Sequence, residues 1–161
     1  MSGSGDTGAD RTLYDDEARP VVAPSSPRST TALGEGRPIA DARDLARRFL
    51  TETQDVHGFP APPRAVGIVL LVVSELVTNA YKYAPGPCLL DLKVAPGTVE
   101  ISVWDSEPTV PVVHPADPGR VGQHGLEIVR SLCRSFEIRR EPVGKRVIAT
   151  VAIEEPTAVL S

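Results

Sequence analysis

Four polar residues between positions 75 and 82 have types and a spacing that suit phosphate chemistry. They are Glu75, Thr78, Asn79 and Lys82. A spacing of i, i+3, i+4 and i+7 places them in one stripe along a helix whose other positions are mostly apolar. A carboxylate and an amide one turn apart offer a general base and a neutral oxygen ligand of the kind that Mg²⁺ on phosphates accepts. The alternative is that the stripe is only the solvated face of an amphipathic helix.

Two further segments could contact a ligand that carries phosphate. Asp105 follows Trp104 at the end of the predicted strand 99–103, so it stands at a strand end where a long loop begins, although it could equally cap a turn. The Gly-Gln-His-Gly run at 122–125 opens a helix whose glycines and first-turn N–H groups favour phosphate, or it is only a flexible helix entry. His124 and Lys82 each have a phosphate-binding interpretation and a surface interpretation.

Apolar periodicity indicates the elements that must position these groups. The segments with helical spacing are 39–50, 64–84 and 122–133. The segments with the alternation of strands are 89–94, 99–104, 135–141 and 145–153. This order predicts an α+β fold, a two-layer sandwich with a mainly antiparallel sheet and helices packed on one face. The proline-rich stretch 105–121 is interpreted as a functional loop or lid.

The two ends of the chain lack such periodicity. Residues 1–36 are rich in Ser, Gly, Pro, Thr, Asp and Arg, which predicts a disordered N-terminal tail, although a short strand near 31–33 is compatible with the pattern. We expect one domain over 37–153 and a C-terminal tail over 154–161. A chain of 161 residues is long enough for one domain with a core of its own.

Composition narrows the class of function. The net charge is -4 and no Lys/Arg cluster is present, which argues against direct nucleic-acid binding. The N-terminus has no apolar h-region, and the longest apolar stretch, 65–73, is too short to span a bilayer, so we expect a soluble cytoplasmic protein without a membrane partner. Cys88 and Cys133 lack metal-ligand spacing and are interpreted as buried structural thiols.

The run ELVTNA at 75–80, followed by KYA at 82–84, resembles the N-box of the GHKL superfamily, which groups gyrase, Hsp90, histidine-kinase and MutL ATPase domains. The compact size and the order of elements are similar to those of the anti-sigma-factor serine/threonine kinases and their actinobacterial relatives. The resemblance covers about residues 32–153. It implies an ATP-binding fold of the Bergerat type.

This resemblance implies a role for each matching residue. Glu75 would polarise the attacking hydroxyl or water, Asn79 would coordinate the Mg²⁺ that bridges the phosphates, and Asp105 would accept the exocyclic amine of adenine. Gly122, Gly125 and Leu126 match the second glycine box and its helix, where the backbone wraps the phosphates. The residues expected to bind the Mg-ATP cofactor are Asn79, Lys82, Asp105, Gly122, His124, Gly125 and Leu126.

Two positions depart from the family pattern. The first glycine box reads DSEP at 105–108, so the adenine aspartate is retained but the flexible glycines are not. Arg146 stands where a Thr often follows the Gly-Lys turn at 144–145, so a hydroxyl that would assist adenine binding is lost. We therefore expect a reduced affinity for ATP.

The leading functional hypothesis is a serine/threonine protein kinase that transfers the γ-phosphate of ATP to a small anti-anti-sigma-like protein. The resemblance alone implies a sigma factor as a second partner and a homodimer. The alternative is a non-catalytic or weakly nucleotide-binding module that sequesters a regulator, which the altered glycine box favours. A histidine kinase domain acting in trans ranks last, because His57 lies in a Gly/Pro loop rather than on a dimerisation helix.

Overall fold

Three helices form where apolar residues recur at helical spacing. The computed structural model describes residues 27–34, 36–83, 86–107 and 125–153. Within these ranges the helices are α1 (Pro38–His57), α2 (Pro63–Tyr83) and α3 (Gly125–Leu132). Each predicted helix is therefore present, but α1 continues beyond residue 50 to His57, so the prediction that His57 lies in a loop is wrong. Residues 122–124 and most of the predicted loop 105–121 lie outside the described ranges.

Helix α1 buries one stripe and ends at a glycine. Its buried residues are Ala42, Ala46, Leu50 and Thr53. Pro38 stands in the first turn, where a missing N–H is tolerated. Gly58 follows the helix with φ 75°, a left-handed conformation that glycine adopts without steric cost, and its N–H donates to the carbonyl of Gln54 over 3.2 Å. Local chemistry thus determines both ends of α1.

Helix α2 is the central helix of the core. Its fully buried residues include Val69, Val72, Val73, Leu76 and Val77. By length and composition alone, Pro63–Lys82 could cross a membrane, because the helix continues well past the apolar stretch 65–73. The core helices of soluble proteins pass the same test, and 44% of this window is buried inside the protein. The helix packs on α1, α3 and the sheet.

Five strands form one sheet in the described residues. They are β1 (Arg28–Leu33), β2 (Cys88–Ala95), β3 (Thr98–Asp105), β4 (Ser135–Arg140) and β5 (Lys145–Ala152). Their order is β1-β2-β3-β5-β4, and every neighbouring pair is antiparallel. The buried apolar residues of the central strands face the helices, and buried residues alternate with more exposed ones along β5. The predicted fold class, an α+β two-layer sandwich with helices on one face, is confirmed.

Strand β1 lies inside the segment 1–36, so the prediction of a disordered tail is wrong for residues 28–30, and the strand left open near 31–33 is present. All of β1 pairs with β2. Arg28 makes two contacts of 3.1 Å with the Asp91 carboxylate, and Thr30 Oγ1 donates to it over 2.6 Å. Burial opposes ionisation of Asp91, but the hydrogen bonds from Arg28 and Thr30 outweigh burial and lower the pKa of this carboxyl. Residues 1–26 and 154–161 lie outside the described ranges.

Candidate functional site

Helix α2 carries Glu75 and Asn79 one turn apart in its C-terminal half. Asn79 is 9% exposed, and its Nδ2 atom is buried without a hydrogen-bond partner among the described residues. Glu75 is half-buried, whereas Thr78 is exposed. The stripe is therefore more than a solvated face. Burying an amide donor without an acceptor costs free energy, so the buried Nδ2 of Asn79 calls for a functional explanation.

The N-terminus of α3 lies directly against Glu75. A Cβ atom at Gly125 would overlap Oε1 of Glu75, so only glycine permits this approach. The first N–H groups of a helix have no partner within the helix, and the helix dipole favours negative charge beside them. Gly125 thus places a carboxylate and the positive end of α3 in one site.

Asp105 ends β3 in a buried ion pair with Lys145, its cross-strand partner on β5. The two residues are 1% and 0% exposed, and Lys145 Nζ lies 3.0 Å from Asp105 Oδ1. The N–H of Glu107 donates to the same Oδ1 over 2.8 Å, and Lys145 Nζ also donates to the Glu107 carbonyl over 3.1 Å. Oδ2 of Asp105 is buried and has no hydrogen-bond partner among the described residues. The carboxylate thus retains one unused acceptor.

The turn between β4 and β5 closes over Asp105. Gly144 has φ 76°, and a Cβ atom there would overlap the carbonyl oxygen of Asp105. Trp104 Nε1 donates to the carbonyl of Val143 over 2.8 Å, which links the same two segments. The Gly-Lys turn identified in the sequence therefore has a structural role, because it holds the end of β3 and supplies Lys145.

The end of α2 and the end of β3 lie at the same edge of the sandwich. The Tyr81 hydroxyl lies 2.9 and 2.8 Å from the carbonyls of Leu33 and Gly34, and Leu33 pairs with Cys88 at the start of β2. Burial, and then the charge of Asp105, raises the pKa of Cys88 to about 11. Burial, and then Cys88, raises the pKa of Tyr81. This series of neighbours places the C-terminal end of α2 near the start of β2 and the end of β3.

Both cysteines are free thiols, Cys88 buried and Cys133 half-buried. Burial raises the pKa of Cys133, like that of Cys88, to about 11, so both side chains are neutral thiols near pH 7. Cys133 packs against the hydrophobic core. Within the described part of the chain, no three His, Cys, Asp or Glu side chains lie together in a group that could hold a metal ion.

The remaining predicted site residues divide into two groups. Lys82 is exposed on α2, and Leu126 packs against the core in the first turn of α3. Gly122 and His124 lie outside the described residues, so their phosphate contacts stay predictions. Sequence reasoning does not identify Lys145 as the partner of Asp105. The signal in the sequence is weak, because a lysine after a turn glycine looks like an ordinary surface residue.

The fold and the site together define a class of protein: a two-layer α+β domain in which a helical acid, a helical amide and a strand-end aspartate border one edge. A family model described as the histidine kinase-like ATPase domain matches residues 39–151, more than half of the chain. The chain therefore belongs to the histidine kinase-like ATPase domain family, and the superfamily resemblance seen in the sequence is confirmed. No curated protein matches the chain.

Two solved structures are similar to the chain. The RsbU and RsbW domains of Rv1364c from Mycobacterium tuberculosis are 20% identical with a TM-score of 0.59, and the match covers 84% of this chain and 34% of that chain. The histidine kinase domain of the Erythrobacter litoralis EL346 blue-light activated histidine kinase is 22% identical with a TM-score of 0.44, covering 70% of this chain and 61% of that one. The first similarity shows the fold, and this chain spans about a third of the length of its Rv1364c neighbour.

Proposed function

We propose that the chain binds Mg-ATP at the edge formed by α2, the end of β3 and the N-terminus of α3, and that it acts as a serine/threonine protein kinase of the anti-sigma-factor type. The observation that carries the proposal is a pair of buried polar atoms, Nδ2 of Asn79 and Oδ2 of Asp105, that have no hydrogen-bond partner among the described residues. Family membership supports the use of a nucleotide. The resemblance of residues 75–84 to the N-box supports the kinase assignment.

The side chains present fit a magnesium nucleotide. Oδ2 of Asp105 is a buried acceptor, and an exocyclic amine is a donor that would remove its cost of about 1–3 kcal/mol. Asn79 supplies an amide oxygen of the type that Mg²⁺ accepts, while its Nδ2 can donate to a phosphate oxygen. When bound, Mg-ATP supplies a charge-neutralised γ-phosphoryl group for transfer.

Glu75 is the proposed general base. Its carboxylate lies against Gly125 and can accept the proton of an attacking hydroxyl or water. Arg43 Nη1 donates to Ser74 Oγ over 2.9 Å, so α1 is tied to α2 at the residue before Glu75. The chain thus provides a fixed proton acceptor on a rigid helix, and catalysis relies on positioning rather than on a covalent intermediate.

The proposed phosphate acceptor is a small regulatory protein of the anti-anti-sigma type in the cytoplasm. The sequence resemblance supports this partner, and it also supports a sigma factor that competes for a homodimer of the chain. The RsbU and RsbW domains belong to the Rv1364c protein. The fold similarity between that structure and this chain supports the proposal.

One observation favours a second candidate function, a non-catalytic module that sequesters a regulator. The segment after Asp105 lacks the usual glycines, and Glu107 in it is fixed through its backbone N–H to Asp105 and through its carbonyl to Lys145. A segment held in this way has less freedom to close over a nucleotide than a glycine-rich one. Nucleotide binding distinguishes the two candidates.

Mg-ATP is expected to raise the melting temperature of the wild-type chain by several degrees. A ligand at about 100 times its Kd adds about 2.7 kcal/mol to the free energy of unfolding, and each kcal/mol shifts the melting temperature of a domain this size by about 2–4 °C. The measurement is thermal unfolding with and without millimolar Mg-ATP. Asn79→Ala should lose most of the shift, whereas Gln54→Ala, which removes an exposed amide from α1, should keep it.

No shift in the wild-type chain at any Mg-ATP concentration would contradict nucleotide binding and favour the sequestering module. Equal shifts in wild type, Asn79→Ala and Gln54→Ala would preserve nucleotide binding but remove Asn79 from the site. These two outcomes test the function and the residue separately.

Gly125→Ala is expected to slow ATP turnover at least about tenfold, because displacing a reacting group by about 1 Å can cost about 100-fold. The new Cβ would meet the flexible end of Glu75 rather than backbone, so the carboxylate moves and stability changes little. Gly67→Ala is the matched control on α2: its Cβ meets nothing within 4 Å. That variant should gain about 0.5–1 kcal/mol of stability at unchanged turnover. Phosphate release measures the turnover rate, and urea unfolding measures the stability. A wild-type turnover rate in Gly125→Ala would contradict the proposal that Gly125 positions Glu75.

A further inference from the structure

Lys145 is a lysine without solvent exposure at the start of β5. Burying an ammonium group is costly unless the group is paired and hydrogen-bonded. Its Nζ contacts Asp105 Oδ1 at 3.0 Å and the Glu107 carbonyl at 3.1 Å. Two apolar residues of similar volume at 105 and 145 would provide equal or better stability. The ion pair therefore calls for an explanation other than stability.

The role of Lys145 rests on the proposed nucleotide site. We infer that Lys145 is a positioning residue that selects the base of the nucleotide, because it occupies one oxygen of Asp105 and leaves the other as a pure acceptor. A purine that carries an amino group at position 6 can donate to that oxygen, whereas a 6-oxo purine presents an acceptor there and is rejected.

The hydrogen bonds of Asp105 are divided unequally between its two oxygens. Oδ1 accepts from Lys145 Nζ and from the N–H of Glu107, whereas Oδ2 has no donor among the described residues. An ionised carboxylate has acceptors only, whereas a protonated carboxyl also donates. As long as Lys145 supplies the counter-charge, the unused oxygen distinguishes an amine from a carbonyl.

Among the described groups that surround Asp105, Lys145 supplies the positive charge that balances the carboxylate. On β2, Cys88 is a buried neutral thiol whose pKa is raised to about 11 by burial and then by the Asp105 charge. In the segment after β3, Glu107 contributes its backbone N–H. On β5, Lys145 is the cation that pairs with Asp105 within the described part of the chain. Without it, the carboxylate would be buried without a counter-charge, which is costly, whereas a neutral carboxyl both donates and accepts.

The test measures the Kd of Mg-ATP and of Mg-ITP, in which the 6-amino group is replaced by an oxo group, for the full chain and its variants. The wild-type chain should prefer ATP by about 10- to 100-fold, the usual effect of one hydrogen bond to a charged group. Lys145→Met should reduce this preference to less than about threefold, because a neutral carboxyl accepts from one base and donates to the other. Lys93→Met, an exposed lysine on β2, is the matched control and should keep the wild-type ratio.

A second variant keeps the inference testable if Lys145→Met does not fold. The double variant Asp105→Asn, Lys145→Met has no charge at these two buried positions, and its amide can donate or accept. The ratio of its Kd values for Mg-ITP and Mg-ATP should therefore also approach one. If either folded variant keeps the wild-type ratio of the Kd values for Mg-ITP and Mg-ATP, Lys145 does not select the base. The proposal that the chain binds nucleotide is unaffected by this outcome. If the wild-type chain binds neither nucleotide, the proposed function is wrong and the inference fails with it.

Discussion

Asp105→Ala is expected to lower the free energy of unfolding by about 3–5 kcal/mol, because it leaves the ammonium group of Lys145 buried without its counter-charge. Both side chains are excluded from water, so solvent cannot replace the lost partner. Urea unfolding followed by circular dichroism measures the change. A loss of nucleotide binding in this variant would then report unfolding as well as the missing carboxylate.

The matched controls separate burial from charge. Asp44→Ala removes an exposed carboxylate that lies 3.6 Å from Arg47, and it should change stability by less than about 1 kcal/mol. Asp105→Leu combined with Lys145→Met should recover stability to within about 1 kcal/mol of wild type or exceed it. Equal effects of Asp105→Ala and Asp44→Ala would contradict a buried ion pair between Asp105 and Lys145.

Glu75→Gln is expected to slow phosphoryl transfer by about 10²- to 10⁴-fold, the usual contribution of a general base. The amide keeps the size of the side chain beside Gly125, so the Kd of Mg-ATP should change by less than about threefold, as expected for an interaction made in the transition state. Single-turnover release of phosphate from Mg-ATP measures the rate, and a binding titration measures the Kd.

Glu52→Gln on α1 is the control for this variant, because it removes the same charge from an exposed site. Its rate should equal that of the wild-type chain. Similar rates in wild type and Glu75→Gln would refute Glu75 as the base, and a large rise in Kd would instead give Glu75 a role in binding the nucleotide.

Local pattern was sufficient to predict the helices and the strands β2 to β5. The prediction for the second helix, 64–84, agrees closely with α2 (Pro63–Tyr83), because its apolar residues repeat over five turns. Strand β1 could not be predicted with the same certainty. Its sequence RSTTAL has no sustained apolar alternation, and what orders it is a partner far along the chain, the Asp91 carboxylate on β2.

The candidate site shows the same limit. Glu75 and Asn79 share one helix, so their spacing alone predicts that they lie on one face. The contact of Gly125 with Glu75 and the pairing of Lys145 with Asp105 depend on how distant elements pack and on the register of β3 with β5. A single sequence contains no direct signal for either. The lysine that completes the aspartate site was therefore found only in the structure.

The position of the Asp105–Lys145 pair also has a consequence for folding. The hairpins β2–β3 and β4–β5 are each joined by a short turn, so each can form through local contacts. The β3–β5 pairing that joins them requires closure of a much longer loop. The Asp105–Lys145 ion pair joins β3 to β5, so it forms only when the two hairpins pack together. A nascent or partly folded chain therefore has no complete aspartate site, and recognition of the base becomes a property of the finished domain.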